Sequence, residues 1–295
     1  VSGSFRVLDN STVLYFCGSS LIRRNILTND HKLYFREKAF ENIKCIDVGT
    51  SEDINETLLV VAKGQEHVTS LLVLELNYST YTEIPCDEGF QMIALRVLVE
   101  DNLIVGSVTK DSEFMLYAWS IEKCKKVARI GLKHRIDKIL IHPLKSLHVA
   151  GVSAIETRLY EIKLTLKSFQ ERIHYEPDSS LSNQQYIDGC YISKQKSTLL
   201  LLLTNRNSLY FFKEDKYVRK ITVDLNVVSF TRFKLFAPSA FEDLFNPYDM
   251  PVDADDEDDQ SPMELFRMLV IDKFIVIVSS NFHVCFCKSH NALFD

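Results

Sequence analysis

The sequence predicts an all-β fold built from repeated four-stranded units, and three observations lead to this prediction. Short apolar runs bounded by polar turns recur along the whole chain. A similar hydrophobic run returns in FMLYAWSIE (114–122), RLYEI (158–162) and SLYFF (208–212). A helical period is seen only in SAFEDLFN (239–246). Apolar runs of this length between turn residues are typical of buried strands.

The strongest runs are regularly spaced. They are TLLVVAKG, NLIVGSVT, SLHVAGVS, TLLLLLTN and KFIVIVSS, which start at residues 57, 102, 146, 198 and 273. The starts lie 45, 44, 52 and 75 residues apart. Each run is followed by a second strand after a polar turn such as TKDSE, a pattern that favours a hairpin. A period of 40–45 residues with four strands is that of a propeller blade.

Two further strands complete each unit. An apolar strand precedes each pair, as in IKCIDVG (43–49), MIALRVLVE (92–100), IDKILIHP (136–143), YIDGCYIS (186–193) and MELFRMLVID (263–272). A more polar strand follows in three units, as in TYTEIPC (80–86), KKVARIGL (125–132) and KYVRKITV (216–223). Inner strands packed on both faces should be apolar throughout, and outer edges should carry charge. We therefore predict a WD-repeat-like β-propeller of four-stranded antiparallel blades, with about six blades visible, the first partial, as part of a seven-bladed ring.

The chain is predicted to form a single propeller domain over residues 1–295. Its hydrophobic content of 46% and charged content of 25% are typical of a globular core. It starts at Val1 without methionine, so we expect a fragment of a longer chain. The longest interval is explained by an acidic, proline-rich insertion loop at 237–262, which should be solvated.

Composition disfavours several classes of function. A net charge of −6 and a pI near 5.8 argue against a nucleic-acid partner. The longest aliphatic run, LLLLL (199–203), is too short to span a bilayer, so no membrane partner is expected. Seven scattered cysteines are typical of a reducing compartment with buried thiols. No phosphate loop, nucleophile elbow or metal-binding helix motif occurs, so we expect a non-enzymatic protein without a cofactor.

Two segments resemble metal sites. HVCFCKSH contains His283, Cys285, Cys287 and His290. Residues two apart on a strand lie about 6.6 Å apart, which is too far for three of them to encircle a zinc ion. VDADDEDDQ (252–260) lacks the glycine and the closing glutamate of a calcium loop. Neither segment is therefore predicted to bind a metal.

One segment of the acidic chain is strongly basic. Residues 122–138 hold seven cations and two acids, and we take the cations as candidate partner-binding residues: Lys123, Lys125, Lys126, Arg129, Lys133, Arg135 and Lys138. Because the segment starts at an outer strand, it should lie near the rim, where it could dock on an acidic protein surface. The alternative is a charged edge strand that only blocks edge pairing.

Several segments of the sequence resemble those of the cilia- and flagella-associated WD-repeat protein family. VLDNSTVLYFCGSSLIRRNIL (7–27) is similar to the opening blade of that family. EFMLYAWSIEKCKKVARI (113–130) resembles a blade in which a tryptophan ends a strand before a lysine-rich turn; Trp119 and Lys123 match, with Tyr117 at the first aromatic position. A later blade matches at Leu209, Phe211, Phe212 and Glu214, and a low-complexity insert then precedes FRMLVIDKFIVIVSSNFHVCFCK (266–288).

This resemblance implies a function and a place in the cell. Members carry two propellers and a coiled coil, and they lie on the doublet microtubules of the ciliary or flagellar axoneme. The chain would then be a scaffold that anchors or regulates inner-arm dynein. Its partners would be inner-arm dynein subunits, tubulin and coiled-coil proteins of the doublet, in a hetero-complex. The location would be the cytoplasm, cytoskeleton and axoneme.

Two other functions stay open. The propeller could be a scaffold of a cytoplasmic or nuclear complex, such as a vesicle coat or a ribosome-assembly particle. A coiled coil downstream would favour the axoneme, and a solenoid of paired helices would favour a coat. A hydrolase built on a propeller is the third possibility, which an activity screen would test.

Overall fold

The strands and turns predicted from the sequence are present throughout the part of the chain that the structure describes. A computed structural model describes residues 5–7, 12–17, 20–25, 28, 30–36, 42–51, 56–75, 80–176, 184–194, 197–206, 208–214, 216–222, 265–271, 274–279 and 284–287. No helix occurs in these ranges. The helical period at 239–246 and the acidic loop at 237–262 lie outside them.

The described strands form six successive antiparallel units, blades 1 to 6. Blade 1 contains β1 (Phe5–Val7), β2 (Thr12–Cys17), β3 (Ser20–Asn25) and β4 (His31–Arg36). Blade 2 contains β5 (Ile43–Ser51), β6 (Glu56–Lys63), β7 (Val68–Glu75) and the first half of β8 (Thr80–Leu98). Blade 3 contains the second half of β8, then β9 (Leu103–Lys110), β10 (Glu113–Ser120) and β11 (Lys125–Leu132).

The second half of the chain continues the series. Blade 4 contains β12 (Lys138–Ile141), β13 (His148–Val152), β14 (Thr157–Lys163) and β15 (Ser168–Tyr175). Blade 5 contains β16 (Tyr186–Lys194), β17 (Ser197–Thr204), β18 (Ser208–Lys213) and β19 (Lys216–Thr222). In blade 6 the described strands are β20 (Leu265–Ile271), β21 (Phe274–Ser279) and β22 (Val284–Cys287).

The first strands of successive blades stand side by side. The first strand of blade 2, β5, contacts β1 of blade 1. It also contacts β8, whose second half is the first strand of blade 3. In the same way β12 contacts β8 and β16, and β16 contacts β20. The last strands of the blades are therefore outermost. The outer edges of blades 3 and 4 meet at one parallel bridge, Arg129 with Ser168.

Three details differ from the sequence prediction. The two strands predicted at 80–86 and 92–100 are one strand, β8, which pairs with β7 up to Phe90 and with β9 from Gln91. Gly89, with φ 83°, lies at this change of partner. The prediction of a partial first blade is wrong, because β1 pairs with β2 and completes four strands. The outer strand β15 was not predicted, because most of its residues are polar and half of them are exposed.

The long apolar runs are explained by packing on both faces of a blade. On β6, Leu58 and Val60 pack into a core shared by blades 2 and 3. The alternate residues Leu59 and Val61 pack into a core shared with Leu14 of blade 1. Each such side chain contributes about 1.5–3 kcal/mol when fully buried. A strand between two blades therefore has no face on which a polar residue is favoured.

Trp119 is a packing residue in the core shared by blades 2 and 3. Its side chain is 1% exposed, and its ring stacks on Tyr117 with 5.6 Å between centroids. Gly106, on β9, pairs directly with Tyr117, on β10. A Cβ on Gly106 would lie 2.9 Å from Trp119 Cζ3, so the indole fits because position 106 has no side chain.

Candidate partner-binding surface

The basic segment follows the outer edge of blade 3. Lys125, Lys126 and Arg129 lie on the outermost strand, β11. Lys123 lies in the turn before this strand, and Lys133 and Arg135 follow it at the opposite end. Lys138 lies on β12, the innermost strand of blade 4. The structure therefore brings three of the seven candidate cations together on one strand and separates Lys138 from them.

A β-bulge determines which face of the blade these cations occupy. The register between β10 and β11 shifts between Ala118 and Trp119, so that Trp119 pairs with Lys126 and Tyr117 pairs with Arg129. Directly paired residues share a face of the sheet, and so do residues two apart on β10. Lys126 and Arg129 therefore lie on the same face, although they are three residues apart. Without the bulge they would lie on opposite faces.

Lys126 is held in place by two contacts. Its ammonium forms an ion pair with Asp87, in the first half of β8, and Nζ lies 5.0 Å from the centroid of the Tyr117 ring. The side chains of Lys126 and Asp87 are 31% and 50% exposed, so the pair itself adds little stability. It does neutralise much of the charge that Lys126 would offer a partner.

Other cations of the segment keep their charge available. Lys123, Lys125, Arg129 and Lys133 are exposed. Among the described residues, none of these four has an acidic group within the 4.0 Å of an ion pair. Arg135, in contrast, contacts Asp137 at 2.7 Å. Lys125 and Arg129 are therefore the cations of the outer strand with the most charge to offer.

Ion pairs between innermost strands involve residues that the sequence alone did not single out. Arg96 on β8 donates from Nη1 to Asp47 Oδ1 on β5 at 2.7 Å, and from Nε to the carbonyl of Ile139 on β12 at 2.9 Å. Lys138 on β12 pairs with Asp188 on β16. The available signal was a charged residue inside each of these largely apolar first strands. These residues join neighbouring blades, so Lys138 has a structural role.

Possible metal ligands are dispersed in the described part of the chain. Within it, no three His, Cys, Asp or Glu side chains are grouped as metal ligands. Among the described residues, Cys45, Cys86, Cys124 and Cys190 form no disulfide bond, and burial raises the pKa of Cys86 and of Cys190 to about 12. Of HVCFCKSH, the strand Val284–Cys287 is formed, but its side chains, His283 and His290 lie outside what is described.

No helix in the described ranges has the length and hydrophobicity that a membrane span requires. Among the described residues, cavities lie at two of the junctions between blades. One of about 110 Å³ lies between Lys133 and Arg158 at the junction of blades 3 and 4. The other, of about 420 Å³, lies between blades 4 and 5. The smaller volume is below that of ordinary small-molecule sites.

Comparisons with known proteins identify the fold. No protein-family model matches the chain, and no curated protein sequence matches it. Solved structures do match. A structure of BBS1N in complex with ARL6DN has a TM-score of 0.60 and 12% identity, over 94% of this chain and 75% of that one.

Two further structures are similar. KlHsv2 with loop 6CD replaced by a Gly-Ser linker has a TM-score of 0.53 and 11% identity, over 94% of this chain and 75% of that one. The Cps50 (Swd1) β-propeller domain of Myceliophteria thermophila has a TM-score of 0.51 and 8% identity, over 81% of this chain and 62% of that one. At these identities the likeness concerns the fold alone. The chain is an all-β β-propeller, as the sequence predicts.

Proposed function

We propose that the chain is a non-enzymatic docking propeller of the ciliary or flagellar axoneme that anchors or regulates inner-arm dynein on doublet microtubules. The support is twofold: the resemblance of several phrases to the cilia- and flagella-associated WD-repeat family, and the exposed cations on β11. Within that family the quoted sequence segments most resemble cilia- and flagella-associated protein 57, followed by cilia- and flagella-associated proteins 43 and 44. A structure of similar fold contains a protein partner, BBS1N with ARL6DN, which supports function through protein contacts.

The observation that carries the proposal is the exposed charge on the outer strand of blade 3. Lys125 and Arg129 lie four residues apart on an edge strand, in a chain whose net charge is −6. A local positive surface on an acidic protein steers docking to an acidic partner and sets its orientation. Tubulin and acidic coiled coils have this chemistry. The edge position leaves these cations accessible without any change in the core.

The test reverses these charges and measures retention on axonemes. The triple variant Lys125→Glu, Lys126→Glu and Arg129→Glu should lose retention without unfolding. Because Lys126 is already paired with Asp87, the double variant Lys125→Glu and Arg129→Glu should retain most of the effect. A matched control reverses Lys216 and Arg219, two exposed cations on β19, the equivalent outer strand of blade 5.

The outcomes separate the proposal from its alternatives. Loss of retention in the β11 variants and normal retention in the β19 control would support docking through β11. Normal retention of the triple variant would reject this surface. Binding of the wild-type chain to vesicle-coat or ribosome-assembly particles, and not to axonemes, would favour the alternative of a cytoplasmic or nuclear scaffold.

A further inference from the structure

A cleft of about 420 Å³ lies between blades 4 and 5, away from the cations of β11. Its size is within the range of about 300–1,000 Å³ in which proteins bind small molecules. The loop from β12 to β13 forms one side, with His142 and His148 at its ends. Tyr191 on β16 forms the other side, and Arg172 on β15 lies toward the outer edge.

The loop that lines the cleft is held by a hydrogen bond between its two ends and by hydrogen bonds to Asp101 of blade 3. The amide of His142 donates to the carbonyl of His148 at 3.0 Å. Asp101, in the turn before β9, accepts from the amide of Leu147 at 3.1 Å and from the hydroxyl of Ser146. The cleft is therefore preorganised, which reduces the entropic cost of ordering this loop when a ligand binds.

The tautomer of His142 follows from its contacts. Its Nδ1 accepts hydrogen bonds from the amides of Leu144 at 3.1 Å and Lys145 at 3.0 Å. A nitrogen that accepts from two amides carries no proton, so the ring proton of neutral His142 is on Nε2. The His142 side chain is buried, and its ring lies 5.0 Å from that of Tyr191. The ring is thus held in one orientation and one neutral tautomer, with Nε2 buried.

The charged side chains that line the cleft are cations. Lys145 and Arg172 line it together with the two histidines, and none of the described residues that line it is acidic. Glu161, which accepts hydrogen bonds from Lys163 and Arg172, is outside the lining. These bonds lower the pKa of Glu161 to about 2, so it stays ionised and orients the guanidinium. Leu159 and Ile173 supply an apolar floor beside these cations.

We propose that this cleft binds a small organic anion, a carboxylate or phosphate ester on an apolar body. The anionic group would lie between Arg172 and Lys145, and the apolar body would lie against Leu159, Ile173 and the Tyr191 ring. A planar guanidinium suits both anions, because it donates two parallel hydrogen bonds. The cleft is separate from β11, so this proposal and the docking function can succeed or fail independently.

The test titrates the purified chain with phenylacetate, with phenyl phosphate and with the neutral control phenylacetamide. NMR shifts of the His142 and His148 ring protons report occupancy of the cleft. Either anion should shift both signals with saturation, and phenylacetamide should not. The anion that binds more tightly identifies the carboxylate or the phosphate as the preferred group.

Variants connect the binding to the residues named. Arg172→Gln should weaken anion binding at least about tenfold, because it removes a charge-assisted hydrogen bond. Lys167→Gln, an exposed residue of the same blade outside the lining, should leave the affinity unchanged. If Arg172→Gln does not fold, Lys145→Gln takes its place. Equal binding of phenylacetamide, unchanged affinity of Arg172→Gln, or no shift with either anion would overturn the proposal.

Discussion

Arg96 on β8 and Asp47 on β5 join the innermost strands of blades 3 and 2, with Nη1 and Oδ1 2.7 Å apart. The Asp47 side chain is 1% exposed and also accepts from the amide of Val97 at 2.9 Å. Because Arg96 donates in addition to the carbonyl of Ile139 on β12, its side chain connects three blades. The pair thus sets the spacing of the inner strands, on which the outer surfaces depend.

Removing Asp47 should destabilise the propeller more than removing a surface carboxylate. Asp47→Ala leaves a partly buried guanidinium and a buried amide without their acceptor, which should cost about 2–3 kcal/mol of unfolding free energy. Asp87→Ala, which breaks the exposed pair with Lys126, should cost less than about 1 kcal/mol. Urea denaturation of both variants measures the difference. Equal losses would show that the buried pair has no special structural role.

The contact between Gly106 and Trp119 predicts a strong effect of one methyl group. In Gly106→Ala, the new Cβ would lie 2.9 Å from Trp119 and 3.0 Å from Met92 Sδ, so the core must shift. We expect a loss of about 1–3 kcal/mol. Gly131→Ala is the matched control, since its Cβ would meet only Met115 Sδ at 3.9 Å. The fluorescence of the single tryptophan reports both unfolding transitions. A Gly106→Ala variant as stable as Gly131→Ala would contradict this packing.

A substitution in the turn between β9 and β10 should increase the stability of the chain. Asp111 and Ser112 have φ of 49° and 68°, the two positive values of a type I′ hairpin turn. Ser112→Gly removes a side chain from a left-handed position and should stabilise the chain by about 0.5–1 kcal/mol. Ser112→Val should destabilise it, because a β-branched residue is strained there. The midpoints of thermal unfolding should follow the order Gly, Ser, Val, and any other order would contradict this turn geometry.

Buried thiols predict a loss of stability in alkali. Burial raises the pKa of Cys86 and of Cys190 from the ordinary 9.0 to about 12. Above pH 9 the unfolded chain releases these protons while the folded chain keeps them, so stability is complete below pH 9 and falls as pH rises toward 12. The double variant Cys86→Ala and Cys190→Ala should flatten this decline, as followed by unfolding free energies at several pH values. The same decline in the double variant would rule out these thiols as its cause.

The local pattern of the chain was sufficient to predict most strands. β11 occupies the predicted 125–132 without change, because its apolar residues and flanking turns are both visible in sequence. β15 was missed, since an edge strand of polar, exposed residues has no hydrophobic signal. The single strand β8 was predicted as two, because its change of partner near Gly89 depends on two neighbouring blades.

The candidate sites were only partly predictable. The cations of β11 lie close together in sequence, so they could be predicted as candidate partner-binding residues. Lys126 and Arg129 share a face of the blade only because of the bulge after Ala118, and the sequence contains no pattern that predicts this bulge. The cleft combines His142, Arg172 and Tyr191 from three strands or loops, and only the packing of blade 4 on blade 5 brings them together. The pair of Asp47 with Arg96 is a tertiary contact of the same kind.

The most direct test of the proposed function is the location of the tagged full-length protein in its source cell, with detergent and then high-salt extraction. A docking propeller held by the charges of β11 predicts signal along the axoneme that survives detergent and is released by high salt, since salt screens exposed ion pairs. The Lys125→Glu and Arg129→Glu variant should be lost already in detergent. Diffuse or perinuclear signal of the wild-type protein would contradict the ciliary assignment.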